Sequence, residues 1–289
     1  ETRPGGRYIP AESKQESALG GPKGLGTVAA RLGLSSASLG LRARSYNHVP
    51  FQTVGEIPFP EFYMPFPTEL HPNLEEGRRT SKEWAYEMGM IGIPGVSVWD
   101  EQRFDAVDTA LLCALIYPNA SAHSYDLATK ASVWGFYIDH HFTERYLSTR
   151  DIVGGRVFLA RLFTLVSSSD SASVPVPTTP WERGLIDLWQ RMATSMSIET
   201  RQQVRHILVE CLEGWAWELD NQIYNRIPDP IDYMDIRIKT AGFEFLVVLN
   251  AIGKKSHELY ENEAMRSLCK ATGDAVCFSN DILSYQKEM

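Results

Sequence analysis

Residues 197–226, SIETRQQVRHILVECLEGWAWELDNQIYNR, are the stretch that decides the fold class. The stretch contains no proline and only one glycine, Gly214, so almost nothing in it interrupts a helix. We predict a single long α-helix here. The pattern breaks at Ile227-Pro228, and Asp229-Pro230 is typical of a new helix start because proline fits the first helical position.

Helical patterns recur on both sides of this stretch. Upstream, Thr179-Pro180-Trp181-Glu182 forms a capping box with proline at the first helical position. Phe245–Leu249 could pass for a strand, but it lies inside a helical pattern. We therefore predict one all-α domain of eight or more helices, with the others at residues 74–91, 103–117, 125–146 and 262–289.

The first 45 residues differ from the rest of the chain in composition. They hold eight of the 21 glycines and little apolar periodicity, which predicts a flexible linker or N-terminal arm. Residues 46–289 then form the domain. Residues 58–67, PFPEFYMPFP, are too rich in proline to be helical, and we expect their aromatic side chains to wrap the domain surface.

Composition limits the classes of partner. Hydrophobic residues make up 44% and charged residues 22% of the chain, as in ordinary globular proteins, and no apolar run is long enough to span a bilayer. The net charge of −8 argues against broad binding to nucleic acid or anionic membrane, so an anionic substrate would need cations concentrated at one site. We predict a cytoplasmic protein with four reduced thiols, at Cys113, Cys211, Cys269 and Cys277.

Three oxygen-bearing side chains recur every four residues in the last predicted helix. Asn280, Ser284 and Glu288 are each turned about 40° from the previous one while the helix rises about 6 Å, so they form one column. An amide oxygen, a hydroxyl and a carboxylate in a column suit Mg²⁺ that bridges to a phosphate-bearing ligand. An ordinary polar helix face is the alternative that this pattern leaves open.

A second candidate site is WGFYIDHHFTE, at residues 134–144. Asp139 and Glu144 follow an apolar and aromatic run, which places carboxylates at the rim of a buried cavity. The adjacent His140 and His141 suggest zinc, but neighbouring helical residues point about 100° apart and seldom chelate one ion. No HExxH motif or further histidine cluster supports zinc, so zinc is disfavoured here.

Together the two sites resemble those of class I terpene synthases. Bacterial members of that family carry an acidic DDxx(D/E) motif and, well downstream, an NDxxSxxxE motif. The downstream motif is complete here as NDILSYQKE, residues 280–288. The resemblance implies an all-α class I terpenoid synthase bundle around a central apolar cavity, with Mg²⁺ as cofactor and an isoprenoid as small-molecule substrate.

The resemblance also implies roles for single residues. Residues 233–242, YMDIRIKTAG, resemble the helix-break segment of these enzymes, and Arg237 would be the diphosphate-sensing arginine. A planar guanidinium suits that role because it binds phosphate oxygens with two parallel hydrogen bonds, although a surface salt bridge is the alternative for Arg237 alone. Lys287 would contact the diphosphate. Asp139 and Arg237 would be catalytic, and the metals would be held by Asp139, Glu144, Asn280, Ser284 and Glu288.

A narrower resemblance covers most of the chain and points to the geosmin synthases. In that family an N-terminal domain of the same polypeptide forms germacradienol, and a C-terminal domain fragments it to geosmin and acetone. By this resemblance residues 1–45 would be the interdomain linker and the rest the C-terminal domain. The stretches that carry it are residues 24–27 (GLGT), 39–42 (LGLR), 49–52 (VPFQ), 62–67 (FYMPFP) and 225–230 (NRIPDP).

The sequence departs from the family pattern in two places. His140 stands where the second aspartate of the acidic motif is expected, and Thr143 stands at its usual last acidic position. Neutral imidazole is a poor Mg²⁺ ligand, so we expect weaker metal binding there, or binding by Asp139 alone. The acidic stretch also resembles the DDHF-type motif of the N-terminal domain. Family members continue beyond a position equivalent to Met289, so we expect a truncated C-terminus.

The sequence is compatible with three functions. They are fragmentation of germacradienol, ionisation and cyclisation of farnesyl diphosphate, and a non-catalytic helical domain that supports a catalytic partner. In either enzyme, aromatic faces would stabilise carbocations, although for each such residue a plain core role is the alternative. The aromatic candidates are Trp134, Phe136, Tyr137, Trp215, Trp217 and Phe278.

Overall fold

A computed structural model describes residues 61, 67–168, 175–249 and 262–288, with side chains as far as Ser284. The predicted arm at residues 1–45 and most of the proline-rich segment 58–67 lie outside these residues. The described chain forms α1 (Leu74–Glu87), α2 (Glu101–Val107), α3 (Thr109–Ile116), α4 (Ala122–Phe142), a π-helix (Thr143–Leu147), α5 (Ile152–Ser168), α6 (Pro180–Ala193), α7 (Ile198–Ile223), α8 (Pro230–Thr240), α9 (Phe243–Leu249) and α10 (Glu263–Glu288).

The predicted all-α fold is confirmed. Within the described ranges the one β-type pairing is an isolated bridge between Ile91 and Trp99, and Phe245–Leu249 belongs to α9 rather than to a strand. All four cysteines are free thiols. Of the helices that the structure describes, none has both the length and the apolar character that a bilayer crossing requires.

Side-chain caps fix the starts of the long helices. The capping box at α6 is present, since the Thr179 hydroxyl accepts the Glu182 backbone N–H and the Glu182 carboxylate accepts the Thr179 backbone N–H. Burial raises the pKa of Glu182, but hydrogen bonds from Arg161, Thr178 and Thr179 outweigh burial and leave the pKa below its usual range. Asp229 caps α8 by accepting the N–H of Ile231 at 2.9 Å.

One predicted helix is divided in the structure. Residues 103–117 were predicted as a single helix, but α2 ends and α3 begins at Asp108, whose φ of 41° lies in the left-handed region. The Asp108 carboxylate caps α3 at the N–H of Leu111 and also binds the guanidinium of Arg78, with contacts of 3.1 and 2.6 Å. These contacts offset the cost of a left-handed non-glycine residue.

Helix α7 is the central element that relates the candidate sites to each other. It packs against α5, the π-helix, α8 and α9, while α8 and α9 also contact α10. Gly214 permits the close approach of α8, because a Cβ at this position would lie 2.5 Å from Cγ2 of Thr240. Helix α8 is thereby held between α7 and α10.

Candidate functional site

Two of the three predicted metal ligands on α10 have described side chains. Asn280 is exposed, and its amide oxygen accepts a hydrogen bond from Arg237. The Ser284 hydroxyl oxygen is buried and has no hydrogen-bond partner among the described residues. A buried hydroxyl without a partner is costly and needs a reason. The side chains of Lys287 and Glu288 lie outside the described residues, so their predicted roles stay predictions.

Arg237 on α8 reaches across to α10 and holds two adjacent side chains. Its Nη2 donates to Asn280 Oδ1 at 2.9 Å, and its Nε donates to Asp281 Oδ1 at 2.8 Å. The Tyr233 hydroxyl, one turn earlier on α8, donates to the other oxygen of Asp281 at 2.7 Å. Arg237 therefore lies at the predicted metal-binding oxygen of Asn280, although Asp281 takes part of its charge.

The electrostatics of this cluster follow from burial and charge pairing. Burial lowers the pKa of Arg237, but the Asp281 carboxylate outweighs burial and raises the pKa above its ordinary value. The pKa of Tyr233 is raised, first by burial and then by its hydrogen bond to Asp281. The phenol is therefore a neutral donor and the guanidinium a fixed cation at ordinary pH.

The end of α4 has different surroundings. Asp139 is exposed there, whereas His140 is turned towards the buried Trp99, whose indole N–H donates to His140 Nδ1 at 2.8 Å. Glu144, in the π-helix, forms an ion pair with Arg103. The position expected to carry a second carboxylate therefore holds an imidazole whose Nδ1 is already bonded, and Glu144 already has a cationic partner.

His141 belongs to the interior rather than to a metal site. Its ring lies among those of Tyr137, Tyr146 and Phe158, with centroids 5.5 to 6.2 Å away. Burial, aided by the positive charge of Arg145, lowers the pKa of His141 to about 4, so the ring is neutral at ordinary pH. No group of three His, Cys, Asp or Glu side chains suited to a metal occurs in the described part of the chain.

Charges from both candidate regions act on side chains in and beside α7. Burial raises the pKa of the Cys211 thiol, and the negative charges of Glu218 and Asp139 raise it further. The charge of Glu218 also acts on Tyr233. Because Cys211 and Glu218 are seven residues apart on one helix, their side chains share a face of α7.

The aromatic candidates divide by burial. Trp134, Tyr137, Trp215 and Trp217 are buried, Phe278 is half-buried, and Phe136 is exposed. The indole of Trp134 donates to the carbonyl of Trp181 at 2.9 Å, and Trp215 stacks on Phe142 with ring centroids 5.3 Å apart. These two tryptophans have the contacts of core residues, which favours the packing alternative for them.

The donors on α10 fit a divalent cation of the magnesium type. Amide and hydroxyl oxygens are hard ligands, and the Ser284 oxygen has no competing partner. An amide oxygen has two lone pairs, so Asn280 keeps one acceptor site beyond the bond from Arg237. A cation held there would lie beside the Arg237 guanidinium, a pairing that suits a polyanionic group binding to both.

Comparisons with known proteins agree with this chemistry. The family model described as terpene synthase family 2, C-terminal metal binding, matches residues 130–289. Pristinol synthase of Streptomyces pristinaespiralis is 28% identical over 230 residues, covering 78% of this chain and 60% of its own length. The 4-epi-cubebol synthase of Streptosporangium roseum, which cyclises (2E,6E)-farnesyl diphosphate, is 25% identical over 79% of this chain and 68% of its own length.

A solved structure supports the fold independently. The linalool/nerolidol synthase from Streptomyces clavuligerus superposes with a TM-score of 0.67 at 24% identity, covering 79% of this chain and 74% of that one. At this identity the likeness concerns the helical architecture.

Proposed function

The chain belongs to terpene synthase family 2, and we propose that it acts as a Mg²⁺-dependent terpene synthase of the geosmin synthase type, converting germacradienol to geosmin and acetone. The α10 column supports a dependence on metal. Within the described residues its Ser284 oxygen is buried without a partner, and its Asn280 oxygen accepts a hydrogen bond from Arg237. Asn280 and Ser284, together with Glu288, would hold the cation.

Support for germacradienol comes from the end of α4. Ionising a diphosphate ester requires several cations at the mouth of the site, and carboxylates on two helices would hold them. Here an imidazole, His140, stands in place of a carboxylate and is bonded to Trp99, and Glu144 is paired with Arg103, which reduces the oxygen ligands offered at the end of α4. An alcohol substrate needs fewer metal ions, and so fewer metal ligands, at the end of α4. The stretches that resemble geosmin synthases also favour germacradienol.

A second candidate is metal-dependent ionisation and cyclisation of farnesyl diphosphate. Arg237 favours it, because a guanidinium beside the proposed metal-binding oxygen of Asn280 is suited to receive a diphosphate. When bound, the metal would neutralise the charge that develops on the leaving group. Arg237 would bind and orient that group, and the buried aromatic rings along α4 and α7 would keep water from the carbocation.

Product analysis separates these functions. The protein is incubated with Mg²⁺ and either germacradienol or farnesyl diphosphate, volatiles are identified by mass spectrometry, and diphosphate release is measured in parallel. Geosmin and acetone from germacradienol support the first function. Cyclised products with diphosphate release support the second, and inactivity with both substrates contradicts both and favours a non-catalytic partner domain. Asn280→Ala, measured alongside, shows whether any turnover depends on the α10 site.

A further inference from the structure

The contact between Arg237 and Asn280 places a cation on an oxygen that the proposed metal would use. Nη2 of Arg237 is 2.9 Å from Asn280 Oδ1. A Mg²⁺ ion bound to the same oxygen would lie about 2.1 Å from it, which brings the two cations within about 5 Å of each other. At that separation their repulsion is appreciable unless anions lie between them. Metal and arginine therefore disfavour each other at Asn280.

The position of Arg237 is maintained by neighbours outside the metal-binding column. Asp281 accepts the Nε–H of Arg237 through one oxygen and the hydroxyl of Tyr233 through the other. The arginine and aspartate side chains are only 18% and 24% exposed, so their attraction is less screened than that of a surface pair. Tyr233 and Arg237 are one helical turn apart on α8, so both reach Asp281 from the same side.

We propose that Tyr233 and Asp281 are positioning residues that hold Arg237 against the metal-binding oxygen of Asn280, so that arginine and metal compete there until a diphosphate group binds both. The inference rests on the proposed metal site at Asn280 and Ser284 and on the second candidate function, in which the substrate carries a diphosphate. It assigns Tyr233 and Asp281 a role in keeping the metal off the protein when no diphosphate is present. Diphosphate reverses the competition, because its oxygens lie between the two cations and turn repulsion into shared attraction.

Metal binding in solution tests the competition directly. Mn²⁺ replaces Mg²⁺ as the probe, and free Mn²⁺ is measured by electron paramagnetic resonance with and without inorganic diphosphate. Arg237→Gln is expected to bind Mn²⁺ alone about 3- to 10-fold more tightly than the unaltered protein, and Mn²⁺ with diphosphate at least ~10-fold more weakly. Arg79→Gln removes the same charge from an exposed position on α1 and is expected to change neither affinity.

Tyr233→Phe isolates the positioning role, because it changes no charge. Loss of its hydroxyl frees one oxygen of Asp281, loosens the hold on Arg237 and is expected to raise the affinity for Mn²⁺ alone about 2- to 3-fold. A merely structural role would weaken binding under both conditions instead. The inference is overturned if Arg237→Gln and Tyr233→Phe leave the affinity for Mn²⁺ alone unchanged or lower it.

The same titration separates failure of this inference from failure of the proposed site. Asn280→Ala is expected to abolish most of the Mn²⁺ binding that diphosphate promotes. If the alanine variant binds Mn²⁺ and diphosphate as tightly as the unaltered protein, the metal site itself is wrong. If Asn280→Ala abolishes binding while Arg237→Gln fails to raise the affinity for Mn²⁺ alone, the site stands and the competition is wrong.

Discussion

The end of α4 and the face of α10 are both predicted to bind metal, yet the structure treats their polar groups differently. At the end of α4, the His140 ring accepts a hydrogen bond from Trp99 and the Glu144 carboxylate pairs with Arg103. On α10, the Ser284 oxygen has no partner and Asn280 meets an arginine that itself suits an anionic ligand. Partners within the protein occupy the groups at the end of α4, whereas on α10 the Ser284 oxygen has no partner among the described residues and Asn280 keeps a second acceptor site beside Arg237.

A motif therefore predicts which polar atoms are present but not whether those atoms are available to bind a metal. Carboxylate and amide oxygens bind metal only when the cation offers more than their existing partners do. We therefore expect metal affinity to depend mainly on α10, with the end of α4 contributing less.

Asn280→Ala is expected to have the largest effect on metal binding. Removing the amide oxygen deletes one ligand of the α10 column, and we expect the affinity for Mn²⁺ with diphosphate to fall about 100-fold or more. Isothermal titration calorimetry measures the change. Asn119→Ala, at an exposed position before α4, is the matched control and should bind normally. A loss of affinity under 3-fold would contradict the prediction that α10 provides most of the metal binding.

His140→Asp is expected to shift the balance towards α4. Aspartate is too short to accept the indole N–H of Trp99, so this buried donor loses its partner and the free energy of unfolding falls by about 1–3 kcal/mol. The new carboxylate beside Asp139 should raise Mg²⁺ affinity up to ~10-fold. Chemical denaturation and metal titration measure the two effects. His140→Ala should lose similar stability without the gain in affinity; equal metal binding by both variants would contradict the prediction.

Ser284→Ala should separate stability from binding. Because the hydroxyl oxygen is buried without a partner, replacing it with hydrogen should change the free energy of unfolding by less than about 0.5 kcal/mol or raise it. The affinity for Mn²⁺ with diphosphate should nevertheless fall about 10-fold. Urea unfolding and metal titration of the same preparations measure both. A destabilisation above about 1 kcal/mol would show that the hydroxyl serves the fold.

Glu144→Gln should have the smallest effect. The Glu144–Arg103 pair is partly exposed, with side chains 40% and 38% accessible, and such pairs contribute less than about 1 kcal/mol to stability. We expect metal affinity to change less than about 2-fold, whereas Asp139→Asn at the neighbouring position should lower it several-fold. Parallel calorimetric titrations of the two variants check this order. If Glu144→Gln lowers the metal affinity more than Asp139→Asn does, Glu144 leaves its ion pair with Arg103 and binds the metal.

The sequence was sufficient wherever structure depends on neighbours along the chain. The long helix at residues 197–226 appears as α7, and the predicted starts at Thr179 and Asp229 are real caps, because capping involves groups three residues apart or fewer. The break at Asp108 could not be predicted. This break depends on Arg78, which lies 30 residues earlier in the chain, and no local sequence pattern predicts that contact.

The candidate site shows the same limit. Family resemblance predicted Asn280, Ser284 and Arg237 as site residues, but the hydrogen bond that joins Arg237 to Asn280 spans 43 residues and follows from the packing of α8 on α10. The bond between Trp99 and His140 spans 41 residues, and it alone shows why the histidine faces inwards. Sequence patterns predict which side chains a site contains, whereas tertiary structure determines which of them are hydrogen-bonded to each other.

Gly214 has a consequence for how this protein could be altered during evolution. The residue lies beside Thr240 and near Ile236, the immediate neighbour of Arg237, and any side chain added there must shift the Thr240 side chain or the helix that carries it. The packing of α8, and with it the reach of the guanidinium towards α10, is thus sensitive to a missing methyl group on a third helix. A substitution to alanine at this remote position would therefore be expected to mistune ligand binding while leaving every polar group of the site chemically intact.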